Sequence, residues 1–263
     1  MKPAPFELVR PASVAEAIAA VIPAGARILA GGQSLGPMLN LRVVQPRLLV
    51  QVNHLPELAA STETIEAITL GACVTHATIA AGRLPDFVGG LLANIAGGIA
   101  YQAVRNRGTI GGSLSHADPA ADWVTVLTAL GAQAVLQSAG GTRRVPVSDF
   151  IAGAFVTTLA PSEILTAVCI PRPPAKAGWG YVKACRKPGE FAHAMAAALL
   201  DGPRRRLVIG AIGGKPLLLT DAQAGMDGAR AALAATPGLD KVASHMLLVV
   251  VHRALEQAAA CRA

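Results

Sequence analysis

The spacing of apolar residues changes along this chain and divides it into predicted helices and strands. Near the N-terminus, Ser13 and Glu16 have the spacing of a capping box and predict a helix that runs to about Val21. The apolar runs that follow predict two short strands and a helical turn between them, at residues 27–30, 48–52 and 38–41. The first 54 residues are therefore predicted to form a βαβ-like unit.

The middle of the chain continues with short strands and helices. Strands are predicted at residues 65–73, 132–137, 142–147 and 163–170. Thr75 is the predicted N-cap of a short helix, and the apolar segment 87–96 predicts a buried helix. Asp118 and Pro119 have the order of an N-cap and a first helical residue, so they predict a helix that ends near Leu130.

The proline-rich segment 171–174 marks a boundary, because proline cannot continue a β-ladder. Beyond it, the pattern predicts three strands and two helices, at 178–185, 192–201, 205–212, 221–235 and 239–260. The last helix is apolar on all faces at 246–251, which predicts burial in the domain or at an interface. The predicted domains are two subdomains, residues 1–54 and 55–172, and a C-terminal domain, residues 176–263.

Composition narrows the class of protein. The chain is 52% hydrophobic but only 3% aromatic, so its core is expected to consist mainly of Ala, Val, Leu and Ile. No stretch has the length and uniform apolarity of a membrane span, and the N-terminal residues lack the apolar region of a secretory signal. We therefore expect a cytoplasmic protein. The four cysteines form no C-x-x-C pair and no cluster with metal-ligand spacing, so we expect no metal site in this chain.

The formal charge of +7 is compatible with an anionic ligand or partner. Nucleic-acid binding is disfavoured, because the basic residues are scattered and few aromatic side chains are available to stack on bases. An anionic cofactor or an acidic partner subunit fits this charge equally well.

Two glycine pairs, about 80 residues apart, lie in similar surroundings. The first is L-A-G-G-Q-S-L-G at residues 29–36, and the second is R-G-T-I-G-G-S-L-S-H-A-D-P-A-A-D at 107–122. Glycine lets an anion approach bare backbone N–H groups, and a following helix start adds unpaired donors. Two such elements that converge on one ligand would suit a pyrophosphate, so the sequence predicts a dinucleotide-binding protein.

A third segment, K-P-G-E-F-A-H-A at 187–194, completes a set of motifs in a fixed order. Together they resemble the FAD-binding medium subunit of molybdenum hydroxylases, the carbon monoxide dehydrogenase and xanthine dehydrogenase relatives. The resemblance implies an α+β fold: a two-subdomain FAD-binding domain of the vanillyl-alcohol-oxidase (PCMH) type, followed by a C-terminal domain with a small antiparallel sheet and helices.

The resemblance also implies a role for the chain. Non-covalent FAD would receive electrons from [2Fe-2S] clusters on a small subunit, which a molybdopterin-containing large subunit reduces as it hydroxylates its substrate. The flavin would then reduce an external acceptor. The expected assembly is a dimer of heterotrimers, and the medium subunit itself needs no catalytic side chain.

Site residues follow from the same resemblance. The first loop comprises Leu29, Ala30, Gly31, Gly32, Gln33, Ser34 and Leu35, and is expected to offer amides and the Ser34 hydroxyl to the pyrophosphate. The second loop comprises Thr109, Ile110, Gly111, Gly112 and Ser113, and it is predicted to lie in an irregular stretch. The Gly111 backbone is expected to lie against the pyrophosphate. Asp122 matches an acidic residue at the ribityl or ribose hydroxyls, and its alternative is a solvated carboxylate in the first turn of a helix.

Four further residues are expected near the isoalloxazine ring. Lys183 matches a lysine close to the flavin, and its alternative is a strand lysine that faces water. Phe191 stands where several relatives have Tyr and is expected to cover one face of the ring, with packing in a core as the alternative. Ile164 and Leu165 match a strand that lines the ring.

Two other functions remain open from the sequence. A free-standing FAD-dependent oxidoreductase of the same fold superfamily would have its own substrate pocket. A non-enzymatic nucleotide-binding module would carry no flavin.

Overall fold

The computed structural model describes residues 2–22, 25–87 and 90–261. Helices and strands alternate along the chain, which confirms the predicted α+β class. The strands are β1 (Glu7–Val9), β2 (Ala26–Leu29), β3 (Leu48–Gln51), β4 (Ser61–Glu63), β5 (Ala67–Gly71), β6 (Gln133–Ser138), β7 (Gly141–Pro146), β8 (Ile151–Gly153), β9 (Val156–Thr157), β10 (Ile164–Pro171), β11 (Gly178–Ala184), β12 (Ala194–Asp201), β13 (Arg204–Gly210) and β14 (Leu217–Thr220). The helices are α1 (Val14–Val21), α2 (Leu35–Asn40), α3 (Pro56–Ala59), α4 (His76–Ala80), α5 (Leu91–Gly97), α6 (Gln102–Arg105), α7 (Ile110–His116), α8 (Asp122–Ala129), α9 (Val147–Phe150), α10 (Met226–Ala234) and α11 (Lys241–Ala260).

The N-terminal sheet is parallel, and β3 lies between β1 and β2. Helix α1 packs on this sheet through an aliphatic core that contains Val14, Ala17, Ile18, Val50 and Val52. One half of the predicted capping box is present, because Ser13 Oγ accepts a hydrogen bond from the Glu16 amide at 3.2 Å. The Glu16 carboxylate accepts the amide of Ala12, at 2.8 Å, instead of that of Ser13. Strand β1 was not predicted, because its three residues are all exposed and show no apolar alternation.

The central sheet is antiparallel, in the order β4-β5-β10-β6-β7. Helix α8 is buried at every position, because it packs against β12 and β13 of the C-terminal sheet and against α7 and α9, and it shares a core with the central sheet. Trp123 of α8 and Phe150 are the largest fully buried side chains among the described residues. Ala197 and Val208 of the C-terminal sheet belong to the same core.

The C-terminal sheet is also antiparallel, in the order β11-β12-β13-β14, and α11 covers one face of it. Gly180 of β11 permits this contact, because a Cβ at that position would overlap the Ala254 carbonyl oxygen of α11. None of residues 246–251 is exposed, as their apolar pattern predicted. A fourth, two-stranded sheet consists of β8 and β9. The three larger sheets fall in the three predicted residue ranges, while the domain boundaries themselves stay a prediction.

Two predictions around the second glycine motif were wrong. The motif was expected to be irregular, but Gly111 and Gly112 lie inside α7. The next helix was expected to begin at Asp118, but α8 begins at Asp122 with Ala121 as its N-cap. Asp118 forms a turn between the two helices instead, and its carboxylate accepts the Ala120 amide at 2.9 Å.

Other differences concern element ends. The predicted strand 65–73 is the second half of a hairpin, β4–β5, whose turn is held by Thr64 Oγ1 as it accepts the amides of Glu66 and Ala67. The predicted helix 87–96 begins at Leu91, and Val88 and Gly89 lie outside the described residues. Strand β14 was not predicted. Over the described ranges, no helix is long and apolar enough to cross a membrane.

Candidate functional site

The first glycine motif forms a turn between β2 and α2. Gly32 has φ +71°, a backbone conformation that favours glycine, and its carbonyl accepts the Gly36 amide at 2.8 Å. Ser34 precedes α2, and its exposed side chain makes no capping hydrogen bond. The amides of Gly32, Gln33 and Ser34 donate to no described residue. The turn therefore presents three N–H groups and a hydroxyl, which suits an anion.

The structure brings the two glycine motifs into direct contact. A Cβ at Gly31 would overlap the carbonyl oxygen of Arg107, so only glycine lets the first turn lie against the chain that enters the second motif. A Cβ at Gly112 would lie 4.0 Å from Ala30 Cβ. The convergence expected of two pyrophosphate loops is thus present in the fold.

The second motif differs from expectation in its backbone donors. Its amides were expected to be bare, but Ile110 donates to the Val74 carbonyl at 3.1 Å and Gly111 donates to the Ala72 carbonyl at 2.9 Å. The Gly112 amide donates to Thr109 Oγ1, the N-cap, at 3.0 Å. The Ser113 amide donates within the helix. These backbone amides of the second motif are therefore not available to a ligand, and this motif can contribute its side chains and its packing. In the first turn, by contrast, three amides remain without a described partner.

Gly111 is needed for packing. A Cβ there would lie 2.7 Å from both the Ala72 Cα and its carbonyl oxygen. This contact with the end of β5 is a sufficient reason for glycine, and contact between Gly111 and the cofactor stays a prediction.

Asp122 and Lys183 form a buried ion pair. Lys183 Nζ lies 2.7 Å from Asp122 Oδ1, and the two side chains are 11% and 7% exposed. The alternatives of a solvated carboxylate and a water-facing lysine are therefore both wrong. Lys183 also donates to the Gly98 carbonyl at 3.2 Å, so it links β11, α8 and the segment after α5.

Tyr181 joins this pair and was missed by the sequence analysis. Its hydroxyl donates to Asp122 Oδ1 at 2.7 Å. Burial and the negative charge of Asp122 raise the pKa of Tyr181 well above its usual value. The available signal was its position two residues before Lys183, because side chains at that spacing share one face of a strand.

The third motif packs against the chain that leads into the second. Gly189 has φ +86° and pairs with Ile99, and a Cβ there would lie 2.6 Å from the Ala100 carbonyl oxygen. Arg105 donates to the carbonyls of Ile99 and Ala100 at 3.0 and 2.7 Å, which holds the same segment from the other side. The third motif and the second are therefore neighbours.

The remaining predicted residues lie in different environments. Phe191 is 63% exposed, so its alternative as a core residue is wrong. Ile164 is buried in the N-terminal core, and Leu165 is buried in the central core. Their expected contacts with the ring stay predictions.

His76 is a buried residue that contacts the second motif, and the sequence analysis did not identify it. Its amide donates to the Gly108 carbonyl at 2.9 Å, and its Nδ1 accepts from Trp123 Nε1 at 3.2 Å. Burial, with a smaller effect from the charge of Arg105, lowers the pKa of His76 to about 4. The imidazole is therefore neutral near pH 7 and serves as a hydrogen-bond acceptor in the core.

A family model described as the FAD binding domain in molybdopterin dehydrogenase matches residues 4–173. The chain belongs to this family. The alpha subunit of the 6-hydroxypseudooxynicotine dehydrogenase complex of Paenarthrobacter nicotinovorans is 36% identical over 258 residues, which cover 92% of this chain and 87% of that subunit. The carbon monoxide dehydrogenase medium chain of Hydrogenophaga pseudoflava is 39% identical over 207 residues, 76% of this chain and 70% of that one.

Solved structures extend the similarity to the whole fold of this FAD-binding chain. Carbon monoxide dehydrogenase from Hydrogenophaga pseudoflava, in a form that lacks the Mo-pyranopterin moiety of the molybdenum cofactor, superposes with a TM-score of 0.91 at 32% identity, covering all of both chains. Quinoline 2-oxidoreductase from Pseudomonas putida 86 gives 0.85 at 30% identity, again covering all of both chains. The predicted family, PCMH-type fold and oxidoreductase class are confirmed.

The residues of the two glycine motifs and Asp122 fit FAD. The amides of Gly32, Gln33 and Ser34 in the first turn donate to no described residue. Gly32, with φ +71°, has no side chain that could shield them from a ligand. Asp122, which begins α8, is a buried carboxylate, and one of its oxygens has no described hydrogen-bond partner. A separate cavity of about 260 Å³ lies at the proline-rich linker, and its lining includes Arg172, Arg204 and Arg206 but no residue of the three motifs. The predicted site is thus the surface where the motifs meet.

Proposed function

We propose that this FAD-binding medium subunit relays electrons within a heteromeric molybdenum hydroxylase. The observation that carries the proposal is the contact between the two glycine motifs, because it sets the unused amides of Gly32, Gln33 and Ser34 beside the second motif. A pyrophosphate carries two negative charges that these donors would bind. The Ser34 hydroxyl would add a further donor.

The other predicted residues would hold the rest of the cofactor. Asp122 would accept a hydrogen bond from a ribityl or ribose hydroxyl, because it is a buried carboxylate with an unused oxygen. Lys183, whose ammonium group is already paired with Asp122, would bring positive charge near the flavin. Exposed Phe191 would cover one face of the ring, and Ile164 and Leu165 would support it from the strand beneath.

Bound FAD supplies the redox chemistry, and the protein supplies binding and orientation. Electrons would arrive from [2Fe-2S] clusters on a small subunit, reduced in turn by a molybdopterin-containing large subunit, and would leave for an external acceptor. We propose a dimer of these heterotrimers in the cytoplasm. The relatives support the subunit role, since two of them are the medium subunit of nicotine 6-hydroxylase and the medium chain of carbon monoxide dehydrogenase.

The experiment is to purify the native complex and measure its subunits, flavin, iron and molybdenum. We expect one FAD per copy of this chain, together with iron and molybdenum on co-purifying subunits. Acid precipitation should release the flavin into the supernatant, because its binding is non-covalent. Isolation of a flavin-containing chain that turns over a substrate without partners or metal would favour a free-standing oxidoreductase. A chain without flavin would contradict the proposal altogether.

A further inference from the structure

Two hydrogen-bond donors converge on one oxygen of Asp122. Tyr181 Oη and Lys183 Nζ each lie 2.7 Å from Oδ1. Both donors come from β11 in the C-terminal domain, whereas Asp122 begins α8 in the FAD-binding domain. The carboxylate is therefore oriented from outside its own domain.

The second oxygen of the Asp122 carboxylate has no such donors. Asp122 Oδ2 accepts no hydrogen bond from a described residue, although the side chain is only 7% exposed. Oδ2 keeps some accessible surface, because it is not one of the fully buried polar atoms without a partner, and a carboxylate oxygen can accept from further donors. A ligand hydroxyl that donates to Oδ2 would complete the coordination of the group.

Tyr181 is suited to hold the carboxylate. Its phenol remains protonated at neutral pH, because burial and the charge of Asp122 raise its pKa, so it acts as a donor. Its other neighbour of note, Met195 Sδ, lies 4.0 Å away and is a weak acceptor. The hydroxyl is therefore committed to Asp122.

We propose that Tyr181 is a positioning residue for the cofactor: with Lys183 it occupies Oδ1 of Asp122 and so turns Oδ2 toward a hydroxyl of FAD. This inference rests on the proposed function, in which Asp122 binds FAD. Tyr181 acts through Asp122 and need not touch the cofactor. The coupling also makes FAD binding depend on the C-terminal domain, although the glycine motifs belong to the first two subdomains.

The test is a double-mutant cycle on the Kd for FAD, measured by flavin fluorescence with the full-length apoprotein. The variants are Tyr181→Phe, Asp122→Asn and both together. Asparagine keeps one acceptor oxygen for Tyr181 and Lys183 but places an NH2 group where Oδ2 was, so it cannot accept from the cofactor. Tyr101→Phe is the matched control, because Tyr101 is the other tyrosine and its ring is exposed.

We expect Tyr181→Phe to raise the Kd about five- to tenfold and Asp122→Asn to raise it at least about tenfold, as for one neutral and one charged hydrogen bond. The double variant should match Asp122→Asn within about twofold, because the group that Tyr181 orients is already lost. Tyr101→Phe should bind FAD like the wild type. Melting temperatures establish that each variant is folded.

Different outcomes overturn different steps. If Tyr181→Phe raises the Kd by the same factor in both backgrounds, Tyr181 acts by packing and the inference is wrong. If Tyr181→Phe has no effect while Asp122→Asn weakens binding, only the inference fails. If Asp122→Asn binds FAD like the wild type, the assignment of Asp122 under the proposed function fails first.

Discussion

Position 31 requires glycine because of a contact with a residue far along the sequence, Arg107. Its α-carbon rests on the backbone at Arg107, so any side chain would push the two motifs apart. The pattern A-G-G-Q-S marked this residue, but the partner that excludes a Cβ emerges only from the fold. Tyr181 and His76 were missed for a related reason, because each is defined by a contact with α8 and neither belongs to a local motif.

Gly31→Ala should strongly reduce the ratio of FAD to protein. The added Cβ overlaps the Arg107 carbonyl oxygen, which is backbone and cannot rotate away. Gly36→Ala is the matched control, because a Cβ at this position of α2 meets nothing within 4 Å. We expect Gly36→Ala to keep full FAD and to stabilise the fold by up to about 1 kcal/mol. Equal FAD content in the two variants would contradict the role given to the contact.

The stability of the protein should fall between pH 6.5 and about 4 because of His76. Its folded-state pKa of about 4 is below the ordinary 6.5, so the unfolded chain binds the proton more tightly over this interval. The difference corresponds to about 3 kcal/mol of unfolding free energy, present above pH 6.5 and lost on acidification. Denaturant unfolding as a function of pH measures it. His76→Gln should flatten this part of the curve, whereas His245→Gln, at an exposed site, should retain it.

Elements with a strong periodic pattern were predictable, and short elements held by tertiary contacts were not. The Ser13 cap of α1 and the Thr75 cap of α4 are present, and the long apolar runs became β10, β12 and α11. The start of α8 was misplaced because Asp118-Pro119 has the residues of a helix start. A turn after α7 uses these residues, since Ala117 has φ +53° and ends that helix.

Helix α7 was unpredictable because two glycines are poor helix formers. Its N-cap, Thr109, and its packing on β5 compensate for them. Helix α7 forms in this fold, although its seven residues have no pattern that predicts a helix.

Thr109→Ala should therefore lower the free energy of unfolding by about 1 kcal/mol and reduce FAD affinity, because α7 begins in the second motif. Thr109→Ser keeps the oxygen that accepts the Gly112 amide, so it should restore most of both quantities. Urea unfolding and FAD titration of the two variants provide the comparison. A serine variant as weak as the alanine variant would show that the methyl group, and not the cap, matters.

In the whole molecule, polar contacts as well as a shared core join residues 4–173, which match the FAD-binding family model, to the C-terminal sheet. The Asp122–Lys183 pair and the Ile99–Gly189 bridge connect segments that the sequence places in different domains. Family motifs indicated that Asp122 and Lys183 belong to one site. Their direct pairing was not predictable, because it depends on how β11 packs beside α8.

Lys183→Met should destabilise the protein by about 3 kcal/mol, because it leaves the Asp122 charge buried without its cation. Adding Asp122→Asn should recover a large part of that loss, since the uncompensated charge is then removed. Lys187→Met is the control: Lys187 pairs with Glu190 but is 75% exposed, so stability should hardly change. Chemical unfolding of all four proteins at one pH gives the comparison. Loss of stability that persists in the double variant would mean that the lysine stem, not its charge, holds the two domains.

The contact between Gly31 and Arg107 also has a consequence for the order of events in folding. It joins segments distant in the chain, so it forms only after the turn that follows β2 and the segment that precedes α7 have come together, and long-range contacts of this kind form slowly. A chain that captures FAD through both motifs can do so only after that step. Quenching of flavin fluorescence during refolding should therefore lag behind the recovery of helical circular dichroism. The rate of FAD binding would then report when the two glycine motifs come into contact, late in folding.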